Sequence, residues 1–269
     1  MIRRPFPSLF LLPTLLLSGG LTACGGGAAT PAATSADPIL HVEASPEEVD
    51  RQWAKAEQLF RHGKWADAAT ALERLNLEFA SGDPRIARGR FYLAESYFQM
   101  KSHLQAVREF RRVSDDLPSD PLAADALLRA ADAFADLWRR PELDPTYAHT
   151  AIGTYQEVQN RYPGTHAARL AQVRIEAIND QLAYKQFRTA QYYIRYKADD
   201  SAILYLKDLA STYPRAKIVP TALVTLIGVY KRLGYTEDIR ETCTYLRRFH
   251  PQGEGVEAAC ADPATPGPS

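Results

Sequence analysis

Cysteine is scarce in this chain. Three in 269 residues are too few for a disulfide-dense scaffold or a four-cysteine zinc site. Charge of one sign is not in excess either: 32 basic side chains face 32 acidic ones, so no basic field steers the chain to nucleic acid. An apolar run long enough to span a bilayer is missing, because Phe6 to Leu17 is short and interrupted by Pro13. The six histidines, at 41, 62, 103, 149, 166 and 250, show no metal-ligand spacing, and no metal site is expected. His62 and His103 fall at turns, where a solvated polar residue suffices. Gly25 to Gly27 follow no strand, so they are no phosphate cradle. The pairs Asp115-Asp116 and Asp199-Asp200 lie at the end of one helical pattern and the start of another, which favours solvation or dipole complementarity over acid–base chemistry. No catalytic residue is assigned, and a non-enzymatic role is expected.

Glycine and proline are also absent where their absence matters. None occurs between Gly164 and Pro214, so one helix can run about thirty residues from near Thr165, roughly 45 Å at 1.5 Å per residue.

Elsewhere proline is periodic. A small or aliphatic residue, a large apolar residue four on, an aliphatic three further and a proline twelve from the start recur as Ala106/Phe110/Val113/Pro118, Ala151/Tyr155/Val158/Pro163, Ala202/Leu206/Leu209/Pro214 and Ile239/Cys243/Leu246/Pro251. Ala68/Leu72/Leu75 opens the series, with its proline delayed to Pro84. Steps of four and three place these side chains on one helical stripe, and proline then ends the helix. Each stripe is the back half of a helical hairpin. Front halves such as Leu93, Ala94 and Tyr97 complete the tetratricopeptide pattern, in which the small residues allow two helices to approach closely. Hairpins that cannot bury their apolar faces alone must stack. The predicted fold is therefore all-α, a right-handed α-solenoid of five tetratricopeptide-like hairpins at about 46–84, 86–121, 122–163, 165–214 and 216–251. Repeat three carries an insertion around Arg139, Arg140, Pro141, Asp144 and Pro145, and repeat four a long front helix. In repeat five, Ile227 and Ile239 stand at usually small positions, which predicts a differently packed terminal hairpin.

The start of the chain carries a second signal. Arg3-Arg4, the short apolar stretch and Leu21-Thr22-Ala23-Cys24 describe a secretion signal over residues 1–23 rather than a membrane span. The final tetrapeptide resembles the bacterial lipobox, which implies diacylglycerol and an N-acyl chain on Cys24, a stable anchor. Gly25 rather than aspartate after it implies the outer membrane. Loss of Arg3 and Arg4 leaves a net charge of −2 on the mature chain. Residues 24–45, rich in Gly, Ala, Thr and Pro, read as a flexible tether. Ser45-Pro46-Glu47-Glu48 reads as a helix start with Ser45 as N-cap and Glu48 completing a capping box. Residues 252–269 are expected to form a largely disordered tail.

The run Asp144-Pro145, Ala151, Tyr155, Tyr162-Pro163, Asp180, Leu182-Ala183, Ala190 and Tyr192-Tyr193, on a lipobox chain with these irregularities in this order, resembles the BamD family of the outer-membrane β-barrel assembly machinery over about residues 46–251. That resemblance implies a lipoprotein on the periplasmic face of the outer membrane. It would bind the barrel insertase BamA through its C-terminal repeats and the C-terminal signals of unfolded barrel proteins through its N-terminal ones. Tyr205 stands where the family often has the arginine implicated in coupling to BamA, so that salt bridge does not carry over. A pilotin-like lipoprotein or a cell-envelope scaffold is the alternative; the first usually has more regular repeats and the second commonly a coiled coil.

Two residue groups leave alternatives open. Concave positions of the first two front helices hold Asp50, Trp53, Glu57 and Phe60, then Arg88, Phe91, Glu95 and Phe98. The aromatics Trp53, Phe60, Phe91 and Phe98 are either a wall for the aromatic-ended strand of a client or packing against the neighbouring hairpin. Cys243 and Cys260 either pair, which suits an oxidising compartment, or remain thiols with Cys243 buried as a small apolar side chain.

Overall fold

A computed structural model of the chain describes residues 45–261. The predicted signal peptide, Cys24 and the tether up to residue 44 lie outside the described residues, as does the chain beyond 261. Ten helices form five antiparallel pairs: α1 (Pro46–Arg61) and α2 (Trp65–Glu78), α3 (Ile86–Gln99) and α4 (His103–Asp116), α5 (Ala123–Leu137) and α6 (Thr146–Arg161), α7 (His166–Arg195) and α8 (Asp199–Thr212), α9 (Val219–Leu233) and α10 (Thr236–Phe249). A short α11 (Val256–Ala259) follows. Each of α1 to α10 packs on its sequence neighbour, and the front helices α3, α5, α7 and α9 also touch one another in succession. This is the all-α solenoid of tetratricopeptide-like hairpins that the cassettes predict.

The cassette residues explain the stacking. Ala68, Leu72, Leu75, Ala106, Phe110, Val113, Ala151, Tyr155, Val158, Ala202, Leu206 and Leu209 are all shut off from solvent, so the back helices meet the front ones through the predicted stripe. Ile227 is fully buried in the last repeat, while Ile239 is only half-buried. The residues before the four periodic prolines, Leu117, Tyr162, Tyr213 and His250, leave the helix at φ −129°, −129°, −122° and −137°. A proline ring excludes the α region for the residue preceding it, so the stop is local chemistry. Repeat one lacks a proline there, and Phe79 ends α2 in an extended conformation instead.

The hairpin turns carry a second repeated constraint. Gly63, Lys101 and Lys197 occupy equivalent turns at φ 71°, 63° and 57°, and the residues after them donate backbone N–H groups to Leu59, Tyr97 and Tyr193, the six-to-one bond of a Schellman ending. Glycine adopts this conformation freely; a side chain costs about 1–2 kcal/mol. Lys197→Gly should therefore raise stability by about 0.5–1 kcal/mol after the added unfolded-state entropy is subtracted. Urea denaturation reads this, and a lower midpoint would mean the lysine side chain supports the turn.

Ion pairs tie helices together within and between hairpins. Arg161 reaches Asp115 at 2.6 Å, Glu157 at 2.9 Å and the Ser114 carbonyl at 2.5 Å, and Arg111 closes on Glu157 at 2.8 Å. Arg90 holds Asp116 at 2.6 Å and Arg232 holds Asp199 at 2.5 Å. Three of the four carboxylates of the two aspartate pairs are thus inter-helix struts.

The core divides into three clusters. The first spans α1 to α5, the second lies between α5, α6 and the first half of α7, and the third joins the second half of α7 to α8, α9, α10 and α11. Phe134 packs against the first two clusters, and Tyr213 against the second and third. The long helix is present at its predicted start: Thr165 caps α7 by accepting the Ala168 N–H at 3.1 Å, and the helix runs 30 residues. The insertion is the loop between α5 and α6, fastened where Lys185 Nζ donates to the Leu143 carbonyl at 2.7 Å and where Asp144 accepts the Thr146 N–H.

Three sequence expectations are corrected. Ser45 does cap α1 through the Glu48 N–H at 3.3 Å, but the Glu48 carboxylate does not close a capping box; it bonds Arg51 and Gln52 along the helix. His103 is not a solvated turn residue, because it opens α4 with 4% exposure and its ring meets Phe98 edge-on. Burial depresses its pKa, with Lys101 and Arg139 adding to the effect and Asp136 opposing it. The segment after Pro251 is not wholly a loose tail. It turns back through α11, buries Val256, and bonds Cys260 to Cys243 of α10, while Arg247 donates to the Cys260 carbonyl.

Candidate peptide-binding groove

Front helices place one face of each repeat side by side, and on α3 the seven-residue spacing of Phe91 and Phe98 puts both on one stripe. α3 lies close to α2 because Gly89 leaves no room for more: a Cβ there would sit 2.6 Å from Asn76 Oδ1. The four aromatics of the sequence reading separate into two groups. Trp53 and Phe60 sandwich Tyr92 of α3, with ring centroids 6.1 and 4.2 Å away and planes 5° and 13° apart. Phe91 meets Phe110 of α4 edge-on at 5.3 Å, and Phe98 is 9% exposed. Trp53, Phe60 and Phe91 remain half-buried. Among the described residues no ring of the first pair stacks on a ring of the second; Tyr92 links Trp53 and Phe60 to α3.

Phe98 instead forms the edge of a pocket of about 460 Å³ between α3, α5, α6 and α7, whose lining includes Arg129, Asp132, Trp138, Tyr155 and Arg174. The Arg129 guanidinium lies 4.1 Å above the Phe98 ring, a cation–π contact. Its nitrogens reach both oxygens of Glu95 at 2.8 Å and Asp132 at 3.1 Å. Asp132 also accepts the Tyr155 hydroxyl at 2.6 Å and faces Arg174 at 3.7 Å. Burial works against the Arg129 charge, but its bonds to Glu95 and Asp132 outweigh burial and raise its pKa. Burial chiefly, then Asp132, pushes the Tyr155 hydroxyl well above its ordinary value, so the phenol stays a neutral donor. Trp138, 7% exposed, lines the same pocket, and its indole N–H has no partner among the described residues. The pocket therefore sets Phe98 and Trp138 beside a guanidinium fixed by two carboxylates, a lining suited to an aromatic side chain of an extended polypeptide.

Sequence reasoning named Phe98 and Glu95 here, and Tyr155 only as a large apolar residue. It missed Arg129, Asp132 and Trp138. The signal was present in Arg129, a lone cation inside the alanine- and leucine-rich run from Ala123 to Phe134. Tyr205, at the departure from the family's arginine, stacks on Tyr193 at 5.2 Å. Among the described residues no helix is long and apolar enough to cross a membrane, and no group of three or more His, Cys, Asp or Glu side chains is placed to hold a metal.

The chain is 24% identical over 199 residues to the "Outer membrane protein assembly factor BamD" of Vibrio cholerae, covering 71% of this chain and 83% of that protein. It is 20% identical over 235 residues to the protein of the same name from Caulobacter vibrioides, covering 87% and 74%. Among solved structures, a putative protein binding protein from Bacteroides ovatus matches at TM-score 0.42 and 13% identity over 72% of this chain and 99% of that one. A tetratricopeptide protein of Thermus thermophilus matches at 0.35 and 14% identity over 78% and 95%. The family model described as "YfiO: Outer membrane lipoprotein" matches residues 46–245, the span from the first proline of α1 to the last turns of α10, and the chain belongs to that family, which is also the family of BamD.

Proposed function

We propose that this protein is an outer-membrane lipoprotein that assembles β-barrel proteins, held by the acylated Cys24 on the periplasmic face. Its C-terminal repeats would engage a BamA-type insertase and its N-terminal repeats would receive the C-terminal segments of unfolded barrel proteins. The observation that carries this reading is the α3 stripe of half-buried Phe91 and of Phe98, with the Arg129 pocket at its Phe98 end, in a chain whose curated relatives are named as assembly factors. Leu21-Thr22-Ala23-Cys24 supports the anchor, and the Cys243–Cys260 bond suits an oxidising periplasm. Tyr205 cannot supply a cation to the insertase, so contact there would rest on the Tyr193–Tyr205 stack and its neighbours.

A fluorescent peptide matching an aromatic-ended barrel strand tests the groove. Truncating a buried interface aromatic costs about 2 kcal/mol or more, about thirtyfold in affinity. Phe91→Ala should lose that much while circular dichroism and BamA binding persist. Because Phe91 also packs on Phe110, a folded variant is required. Wild-type affinity in a folded Phe91→Ala protein would remove the groove from the client-binding role.

A further inference from the structure

The long front helix creates a surface that the other repeats lack. α5 ends at Leu137, whereas α7 continues to Arg195, so the distal half of α7 is flanked on the repeat-three side by the insertion loop alone. Residues 181, 184, 188, 191, 192 and 195 are exposed, and steps of three and four make them one continuous stripe. Together with the insertion this stripe walls a groove of about 560 Å³, with Pro141, Tyr184, Lys185, Arg188, Tyr192 and Arg195 in its lining. Tyr184 is 50% and Tyr192 47% exposed, and Tyr192 is braced by the Tyr196 ring at 4.5 Å. The lining has three cations against one carboxylate, Glu142, on a protein without basic excess. Lys185 is used to tie down the loop through the Leu143 carbonyl. Arg188 and Arg195 pair with no carboxylate among the described residues, in contrast to Arg232, which takes up Asp199.

We propose that this groove is a docking site for an acidic, extended, proline-rich polypeptide segment, separate from the Phe98 pocket. Charge selects acid, because two exposed arginines without partners on a tyrosine-lined floor leave the cationic side of the interface unmet. Spacing selects the backbone. Arg188 and Arg195 are two turns apart, about 10.5 Å along the helix. A polyproline-II segment presents every third residue on one face at about 9.3 Å, while same-face residues of a strand fall at about 6.6 or 13 Å. Aromatic-lined grooves bind such segments because little conformational entropy is lost.

A labelled (Pro-Pro-Glu)₅ peptide and its (Pro-Pro-Lys)₅ counterpart, titrated by fluorescence anisotropy against the full mature chain, provide the test. The acidic peptide should bind and the basic one should not. Arg188→Glu with Arg195→Glu should weaken the acidic peptide at least about tenfold and admit the basic one, a swap that an unfolded variant cannot produce. No binding of the acidic peptide below about 1 mM, or equal affinity for both peptides, would overturn the proposal. So would unchanged affinity in the charge-reversed variant. Peptides for the Phe98 pocket bind or fail independently of this result.

Discussion

Arg129→Met should lower the stability of the protein by about 3 kcal/mol, because it takes the nearest cation from two carboxylates that the fold has largely removed from water, leaving Glu95 with Gln99 and Asp132 with Tyr155 and the more distant Arg174. The side chains of Glu95 and Asp132 are 15% and 13% exposed, and Arg129 itself is 26% exposed. These values place the loss toward the lower end of what a broken buried pair costs. Urea denaturation measures it. Adding Glu95→Gln to Arg129→Met should recover much of the loss, since a neutral amide tolerates the site that a lone carboxylate does not. If the single and double variants denature alike, the guanidinium contributes through packing on Phe98 rather than through charge. The same single variant should also weaken the aromatic-ended peptide, because the ring of Phe98 is then no longer held from above.

Cys260→Ser should cost about 3 kcal/mol on the chain-entropy estimate for a loop of this length, with the bridged residues 17 apart in sequence. The loss is local. Val256 and Cys260 both belong to the last core cluster, alongside Val219, Leu226 and Leu246, so freeing the segment opens one flank of α9 and α10. Proteolysis with the sites mapped by mass spectrometry should show cleavage after Pro251 in the variant, or in reduced wild-type protein, well before cleavage elsewhere. Equal resistance of oxidised and reduced protein would mean that packing of Val256 and the Arg247 bond to the Cys260 carbonyl suffice to hold the segment.

The fold was legible where a local rule acts on a single residue type. Four prolines each dictate the conformation of the residue before them, and alanines such as Ala106 and Ala151 mark where two helices approach, so helix ends and core faces follow from spacing. The length of α7 was legible as an absence of breakers. Contacts between residues far apart in sequence were not. Tyr92 is an ordinary front-helix tyrosine until α1 brings Trp53 and Phe60 to its two faces. Arg129 reads as an oddity until Glu95 arrives from 34 positions away. His103 looked like a turn residue because sequence shows the turn and hides the Phe98 ring above it. Cys243 and Cys260 allowed pairing without fixing it, since α11 is too short to announce itself.

α7 belongs to two cores at once. Ala167, Ala171, Ile175 and Ile178 lie in the cluster of repeats three and four, and Ala183, Phe187 and Ala190 in the cluster of repeats four and five. A helix of about 45 Å without a proline or glycine is stiff along its length, and a tilt of about 10° about its middle displaces each end by about 4 Å. It is one continuous strut between the two clusters. Arg174, facing the Phe98 pocket, rides on one half, and Arg195 and Tyr196 ride on the other. The two clusters are therefore not mechanically independent, because a rigid shift of one half of α7 carries the other half with it.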